Sequence, residues 1–200
     1  MLQLLDPGDV RLAPTTGLDV ATGLLAGAAL DTAVPIGHRD EVLRLIAAHG
    51  DVAHRSCVPG HLTGSALVVD HEAARTLLML HRKLGRWFQP GGHADGDTNL
   101  AAVALREAQE ETGIDGLRVA LPAIDVDVHE VAPPGERPHL HLDTRFLVVA
   151  PPGAREQANE ESLALRWLTE AELDGLDPPV DDSTRRLVRR GLQLARTALA

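Results

Sequence analysis

The sequence predicts an α/β/α layered domain that follows an N-terminal helical extension. Three observations support this fold class. Helix-type spacing of apolar side chains is found in residues 1–55, strand-type apolar runs begin at His61, and helical segments interrupt and follow those runs. Elements in this order cover both faces of a sheet with helices. We therefore expect one α/β domain over residues 56–200, with residues 1–55 as its cap.

The N-terminal extension is predicted to contain two helices. An Ala/Leu-rich run, Val20 to Leu30, lies between turn signals and indicates a weak helix. The second segment, His38 to His49, indicates a helix more clearly, because four apolar residues form a helical stripe and Gly50 provides a stop. The stripe consists of Val42, Leu43, Leu45 and Ile46.

Strand patterns follow from His61 onward, interrupted by one helix. Each run combines alternating or continuous apolar residues with flanking turn residues. The last two runs suggest a long hairpin closed by a proline-rich loop, Ala132 to Pro138. The predicted strand regions are Leu62 to Val69, Thr76 to His81, Trp87 to Gln89, Leu117 to Val131 and His139 to Val149.

The C-terminal part is predicted to add one strand and two helices. Leu163 to Leu168 indicates a strand, and Thr169 to Leu173 a short helix. Asp181 or Asp182 can cap a final helix that ends at Leu199. Its inward residues are expected to be Leu187, Val188, Leu192 and Ala195.

The composition suits a soluble globular protein and excludes several function classes. Hydrophobic residues make up 44% of the 200 residues, enough for an ordinary core. The net charge of −10 argues against binding nucleic acid through its phosphates, which needs a clustered basic surface. Cys57 is the lone cysteine, so a reducing cytoplasm is expected. Asp31 and Pro35 interrupt the apolar run at residues 19–36, which therefore predicts neither signal peptide nor membrane span.

The most informative segment places three glutamates on one stripe of a helix, after a predicted turn at Gly91 and Gly92. Glu107, Glu110 and Glu111 occupy positions i, i+3 and i+4, which share a face. Like charges at this spacing weaken a helix unless a cation lies among them. Mg²⁺ and Mn²⁺ prefer oxygen ligands and commonly bind phosphates as well. The stripe therefore points to metal-assisted phosphate chemistry.

The same helix has recognisable ends and an apolar face. Asp97 or Thr98 is predicted to cap its start, and Gly113 to provide a left-handed stop. Small apolar residues next to the glutamate stripe suit close packing on a sheet. They are Ala101, Ala104, Leu105 and Ala108.

The segment from Gly92 to Ile114 resembles the Nudix box, G-x5-E-x7-R-E-U-x-E-E-x-G-U, where U is a bulky aliphatic residue. The spacing from Gly92 to Arg106 is kept, and REAQEETGI at residues 106–114 nearly completes the pattern. Two positions depart from it, since Thr98 stands where the box has Glu and Ala108 is small for a U position. With WFQPGG before the box and RWL and EAEL after it, the resemblance covers roughly residues 60–175.

This resemblance implies a Nudix-type α/β/α sandwich with a mixed sheet. It also implies that the protein hydrolyses a diphosphate linkage in a nucleoside diphosphate derivative or a nucleoside triphosphate. It assigns Mg²⁺ or Mn²⁺ to Glu107, Glu110 and Glu111, and it gives Glu110 and Arg106 catalytic roles, with Arg106 orienting a carboxylate. Gly91 and Gly92 would frame the phosphates, because glycine has no Cβ. The expected partner is a small phosphorylated substrate, first of all a nucleotide, with neither nucleic acid nor membrane. A homodimer stays open.

Thr98 supports a second hypothesis. A hydroxyl in place of the box carboxylate predicts reduced or altered metal affinity, which Asp95 and Asp97 nearby can offset. A Nudix fold that binds a nucleotide or sugar phosphate without cleaving it is the alternative. A third class, a diphosphate isomerase on the same fold, needs an acid–base pair deep in the pocket.

A second polar cluster lies on one strand. His139, His141, Asp143 and Arg145 alternate with mostly apolar residues, so all four share one face. Such a face is solvated, contacts substrate, or binds a transition metal if a third ligand such as His93 converges on it. We assign His93, His139, His141 and Arg145 to substrate binding, with the other two interpretations left open.

The resemblance implies that the general base comes either from the box or from a loop elsewhere. Glu160 and Glu161 lie in a polar loop before the strand at Leu163 and can swing over the site. We assign the base to Glu161, and an ordinary surface charge is the alternative.

Overall fold

A nine-stranded mixed sheet forms the centre of the protein, in a computed structural model that describes residues 2–132, 135 and 137–199. Strand β2 runs parallel to β8 and antiparallel to β3 and β5, so both pairing types occur. The strands are β1 (Gln3–Leu5), β2 (Gly60–Val69), β3 (Thr76–His81), β4 (Arg86–Phe88), β5 (Gly91–His93), β6 (Arg118–Leu121), β7 (Asp125–Val131), β8 (His139–Val149) and β9 (Ser162–Leu168).

Helices cover both faces of this sheet. On β2, Leu62, Ala66 and Val68 point into one apolar core, whereas Leu67 and Val69 point into a second core on the other face. The first core includes buried residues of α1, α2 and α3, and the second includes those of α4. The predicted α/β/α sandwich with a mixed sheet is confirmed. The helices are α1 (Leu18–Ala26), α2 (Ala33–Ala48), α3 (Leu100–Thr112) and α4 (Asp182–Leu199), with 3-10 helices at Val10–Leu12 and Glu170–Gly175.

The N-terminal segment contributes a strand as well as the two predicted helices. Strand β1 pairs antiparallel with β6 and adds an edge to the sheet. Leu5 of β1, Leu25 of α1 and Val42 of α2 are fully buried in the core that also contains α3. A strand of three residues is too short for a period-two pattern, which is why the sequence did not predict it.

The predicted strand region Leu117 to Val131 is divided into β6 and β7. Pro122 follows β6, and proline cannot donate a hydrogen bond to a neighbouring strand. The predicted long hairpin is confirmed and consists of β7 and β8. These strands pair antiparallel, from Asp125 opposite Arg145 to Val131 opposite His139. The loop between them, Ala132 to Pro138, lies partly outside the described residues.

Helix α2 begins at Ala33, one turn earlier than predicted, because Pro35 falls in its first turn, where proline is tolerated. Helix α4 agrees with prediction: Asp181 accepts a hydrogen bond from the Thr184 amide at 2.7 Å, and the four predicted inward residues are buried. Within the described part of the chain, no helix has both the length and the apolar character needed to cross a membrane.

Candidate active site

Helix α3 packs its small apolar face on the sheet, as predicted, and all four residues of that face are buried. Its cap differs from the prediction. Asn99 is the N-cap and accepts from the Ala102 amide at 3.4 Å, so the assignment to Asp97 or Thr98 is wrong. At the other end Gly113 adopts the left-handed conformation with a φ of 65°, which glycine allows without strain.

Gly91 and Gly92 do not form the predicted turn. They belong to strand β5, in which Gly91 pairs with Ser65 and Gly92 with Gly64 of β2. The Gly91 amide donates a hydrogen bond to Oε2 of Glu111 at 2.9 Å. A side chain at Gly92 would collide with the carboxylate of Glu107. The β5 backbone therefore lies against the carboxylates of α3, and the missing Cβ of Gly92 leaves the space that Glu107 occupies.

Burial dominates the electrostatics of the glutamate stripe. Glu111 is 5% exposed, and burial raises the pKa of its carboxyl to about 8, despite the hydrogen bond from Gly91; Glu107 and the other nearby carboxylates add to the rise. Burial also raises the pKa of Glu107, and Arg106 opposes this effect. A nearby cation favours the ionised form of a buried carboxylate and so lowers its raised pKa.

Arg106 contacts two members of the stripe. Its Nη2 donates to Oε1 of Glu107 at 2.8 Å, whereas its Nε lies 3.9 Å from Oε1 of Glu110. The Glu110 side chain is 63% exposed. Arg106 therefore holds Glu107 more closely than Glu110, and Glu110 stays accessible from solvent.

The donor set of the stripe fits a hard divalent cation. Glu107, Glu110 and Glu111 supply carboxylate oxygens from one face of α3, and Glu111 is held by a backbone amide. Mg²⁺ and Mn²⁺ favour such oxygen donors, together with water and phosphate oxygens.

The loop before β9 lies across the end of α3. The Gln157 amide donates to the Thr112 carbonyl at 2.7 Å, and the Asn159 side chain donates to the Glu110 carbonyl at 3.2 Å. Glu161 in this loop is exposed. Burial is the largest cause of the raised pKa values of Glu107 and Glu111, and the charge of Glu161 is a smaller cause of both. The loop thus brings Glu161 into electrostatic contact with the stripe.

Thr98 joins the N-terminal segment to the start of α3. Its side chain is fully buried, and the single hydrogen of its hydroxyl is shared between the carbonyl oxygens of Gly17 at 2.7 Å and Thr15 at 3.1 Å. A glutamate here would place a buried carboxylate against carbonyl oxygens, which costs free energy. The departure from the box is therefore explained by this docking contact.

Asp95 and Asp97, which we expected to offset Thr98, have other contacts. Asp95 forms an ion pair with Arg55 at 2.7 Å. Asp97 accepts hydrogen bonds from the amides of Thr15 at 3.1 Å and Asn99 at 3.0 Å. Both carboxylates thus stabilise the chain segments that precede α3.

Replacing Thr98 by valine is expected to lower the free energy of unfolding by about 1–2 kcal/mol, because the carbonyls of Gly17 and Thr15 lose the buried hydroxyl that they share. Urea unfolding measures this loss. Thr98→Ser keeps the hydroxyl and serves as the matched control, with a smaller loss. Equal stability of the valine variant and the native protein would contradict the docking role.

Arg145 has its guanidinium engaged by protein carboxylates. It is 3% exposed and contacts Asp143 at 2.7 Å, Asp125 at 3.1 Å and Asp127 at 3.2 Å. Burial alone would lower the pKa of Arg145, but the three carboxylates raise it. Arg186 of α4 contacts two of these aspartates, Asp125 and Asp127. In this arrangement Arg145 fixes the β7–β8 hairpin to α4.

The three histidines predicted to contact substrate lie together, and two more join them. Strand pairing places both His61 of β2 and His129 of β7 opposite His141 of β8. The rings of His61, His129 and His141 therefore lie on the same face of the sheet as those of His139 and His93. Because side chains alternate along β5, this face is opposite to the one on which Gly92 meets Glu107. We call these five residues the histidine cluster. His61 was missed because only strand register brings it there.

Known proteins resemble this chain in sequence and fold. A family model described as NUDIX domain matches residues 61–191. A NUDIX-family hydrolase from Clostridium perfringens is 21% identical, with 67% of this chain and 97% of that chain covered and a TM-score of 0.56. Among curated proteins, none matches this sequence significantly.

Two further solved structures share the fold. A C. elegans Ap4A hydrolase in a binary complex is 16% identical, with 66% of this chain and 96% of that chain covered and a TM-score of 0.54. A MutT NUDIX hydrolase from Burkholderia pseudomallei is 26% identical, with 64% of this chain and 95% of that chain covered and a TM-score of 0.50. The alignments leave about one third of this chain uncovered.

Proposed function

Because this chain belongs to the NUDIX domain family, we propose that it is a divalent-metal-dependent pyrophosphohydrolase that acts on a nucleoside diphosphate derivative or a nucleoside triphosphate. One observation carries the proposal: three glutamates line one face of α3, and β5 backbone is held directly against two of them. A cytoplasmic location belongs to the same proposal.

We assign Glu107, Glu110 and Glu111 to the metal ion, which is Mg²⁺ or Mn²⁺. When bound, such an ion would neutralise charge on the diphosphate oxygens and make an attacking water more acidic. Glu111 accepts from the Gly91 amide at 2.9 Å, which fixes one carboxylate before any ligand arrives. Arg106 fixes Glu107 through its contact at 2.8 Å. Groups that are held in place in this way avoid reorganisation during the reaction.

The β5 backbone and the loop before β9 supply the remaining groups. Gly91 and Gly92 let phosphates approach the carboxylates closely, since a side chain at Gly92 would occupy the space of Glu107. Glu161, in the loop that crosses the end of α3, is the proposed general base. It is exposed, so it can accept a proton from a water molecule that enters from solvent.

The non-catalytic alternative loses the one feature that favoured it. Thr98 was its only support in the sequence, and the docking of Thr98 to Gly17 and Thr15 accounts for the missing box carboxylate. The acidic stripe itself keeps all three glutamates.

A substrate panel tests the proposed activity. Nucleoside triphosphates, nucleoside diphosphate sugars and dinucleoside polyphosphates are incubated with Mg²⁺ or Mn²⁺, and in parallel with a chelator. We expect phosphate-containing products only with metal, and isotopically labelled water should place its oxygen in one of them. Tight binding of a nucleotide without turnover under either metal would contradict hydrolysis and favour a sensor.

A further inference from the structure

The histidine cluster is a feature that the proposed hydrolysis does not use. The ring centroid of His61 lies 4.9 Å from those of His93 and His139 and 5.1 Å from that of His141, and the ring of His129 lies 5.4 Å from His141. We propose that this cluster binds a divalent transition-metal ion, separately from the cation held by the glutamates of α3.

His61 gives the strongest indication of a missing ligand. It is 2% exposed, and among the residues that the structure describes neither of its ring nitrogens has a hydrogen-bond partner. Leaving buried polar atoms unpaired costs free energy, so native proteins pair nearly all of them with protein, water or an ion. The other rings of the cluster surround His61, which makes a shared ion the simplest partner.

The nitrogen positions suit tetrahedral coordination. Each of His61, His139 and His141 offers one ring nitrogen, and these three atoms lie within 4.8 Å of one another. Zn²⁺ binds imidazole nitrogen at about 2.0–2.1 Å, which puts tetrahedral neighbours about 3.4 Å apart. The Nε2 atoms of His93 and His141 are already separated by 3.3 Å.

Two outer contacts fix which nitrogen faces the cluster. Nδ1 of His139 lies 2.8 Å from the Arg137 carbonyl, and a carbonyl only accepts, so Nδ1 carries the proton and Nε2 keeps its lone pair. Nδ1 of His129 donates in the same way to Asp127 at 3.0 Å. Histidines that ligate metals usually donate their other nitrogen to a carbonyl or carboxylate.

The donor type selects the ion. Asp143, on the same strand face, is occupied by Arg145 and by the hydroxyls of Thr63 and Ser65, so imidazoles are the donors that converge. Imidazole suits Zn²⁺, Co²⁺, Ni²⁺ and Cu²⁺, whereas Mg²⁺ prefers oxygen. An ion here would tie β2 and β8 together, with His93 adding β5.

Metal titration of the tag-free, chelator-treated full chain tests the proposal. The Glu110→Gln/Glu111→Gln double variant removes two carboxylates of the glutamate site, which lowers the contribution of that site to zinc uptake. We expect one Zn²⁺ per chain by calorimetry, little competition from excess Mg²⁺, and visible absorption bands of tetrahedral Co²⁺. These readouts do not depend on hydrolysis, so the proposed function can fail while this site stands.

Variants in the same background identify the ligands. His61→Gln and the less buried His139→Gln should each weaken Zn²⁺ binding by about 100-fold or more, since even loss of an outer partner typically costs 10–100-fold. His71→Gln, in the exposed turn after β2, is the control and should bind as the parent does. Absence of Zn²⁺ uptake in the parent, or unchanged affinity in His139→Gln, would overturn the proposal.

Discussion

Replacing Glu111 by glutamine is expected to lower kcat with the best substrate of the panel by about 100- to 1,000-fold, a loss typical of removing one preorganised electrostatic group. Glutamine keeps the size of the side chain and an oxygen that can accept from Gly91, so the geometry of β5 should be retained. The charge that attracts the divalent ion is lost. Steady-state kinetics at saturating Mg²⁺ measures the effect.

Stability measurements separate this loss from misfolding. Burial raises the pKa of Glu111 from its ordinary value of 4.5 to about 8, so between these values the folded state binds more protons than the unfolded state. The contribution of Glu111 to the stability of the metal-free protein should therefore fall as pH rises from 4.5 to 8, so the native protein should lose stability relative to Glu111→Gln across this range. Mg²⁺ should stabilise the native protein more than the variant.

Glu72 provides the matched control, since it is an exposed carboxylate in the turn after β2. Glu72→Gln should leave kcat unchanged. Native-like kcat in a folded Glu111→Gln variant would remove Glu111 from the metal site, and with it the central observation behind the proposed hydrolysis.

Replacing Arg145 by methionine is expected to lower the free energy of unfolding by about 3–5 kcal/mol, the range found when one partner of a buried ion pair is removed. Asp125, Asp127 and Asp143 would then stay buried with less positive charge near them. Arg186 still contacts Asp125 and Asp127, whereas Asp143 keeps the hydroxyls of Thr63 and Ser65 as its side-chain partners among the described residues. Urea unfolding of the full chain measures the change.

A second substitution tests which charge causes this loss. Adding Asp143→Asn to Arg145→Met should recover part of the stability. Asp143 is the one of the three aspartates that Arg186 does not contact, and asparagine removes its unpaired buried charge. If Arg145 instead contacts substrate, Arg145→Met would raise KM while leaving stability within about 1 kcal/mol of the native value. That result would restore the sequence-based assignment.

The box helix shows how much local sequence can predict. Its apolar face, its glycine stop and the shared stripe of Glu107, Glu110 and Glu111 all follow from the 3.6-residue period, which needs no knowledge of the rest of the chain. Its N-cap was predicted wrongly, because Thr98 and Asp97 are used instead for contacts with Thr15 and Gly17.

The polar residues of β8 show where local patterns stop being sufficient. The sequence placed His139, His141, Asp143 and Arg145 on one face of β8, and strand alternation confirms that shared face. The sequence could not show that these residues have different neighbours. Arg145 contacts aspartates of β7, whereas His139 and His141 contact His61 of β2.

The sequence by itself determined the α/β/α sandwich, the acidic stripe and the family resemblance, because these depend on spacing within single segments. Only the tertiary structure decided which segments meet. Parallel pairing of β2 with β8 brings His61 to His141, and antiparallel pairing of β5 with β2 brings the Gly91 amide to Glu111. Strand register is set by packing of the whole sheet, and a one-residue shift of a strand would move its side chains, such as those of His61 and His141, to the opposite face.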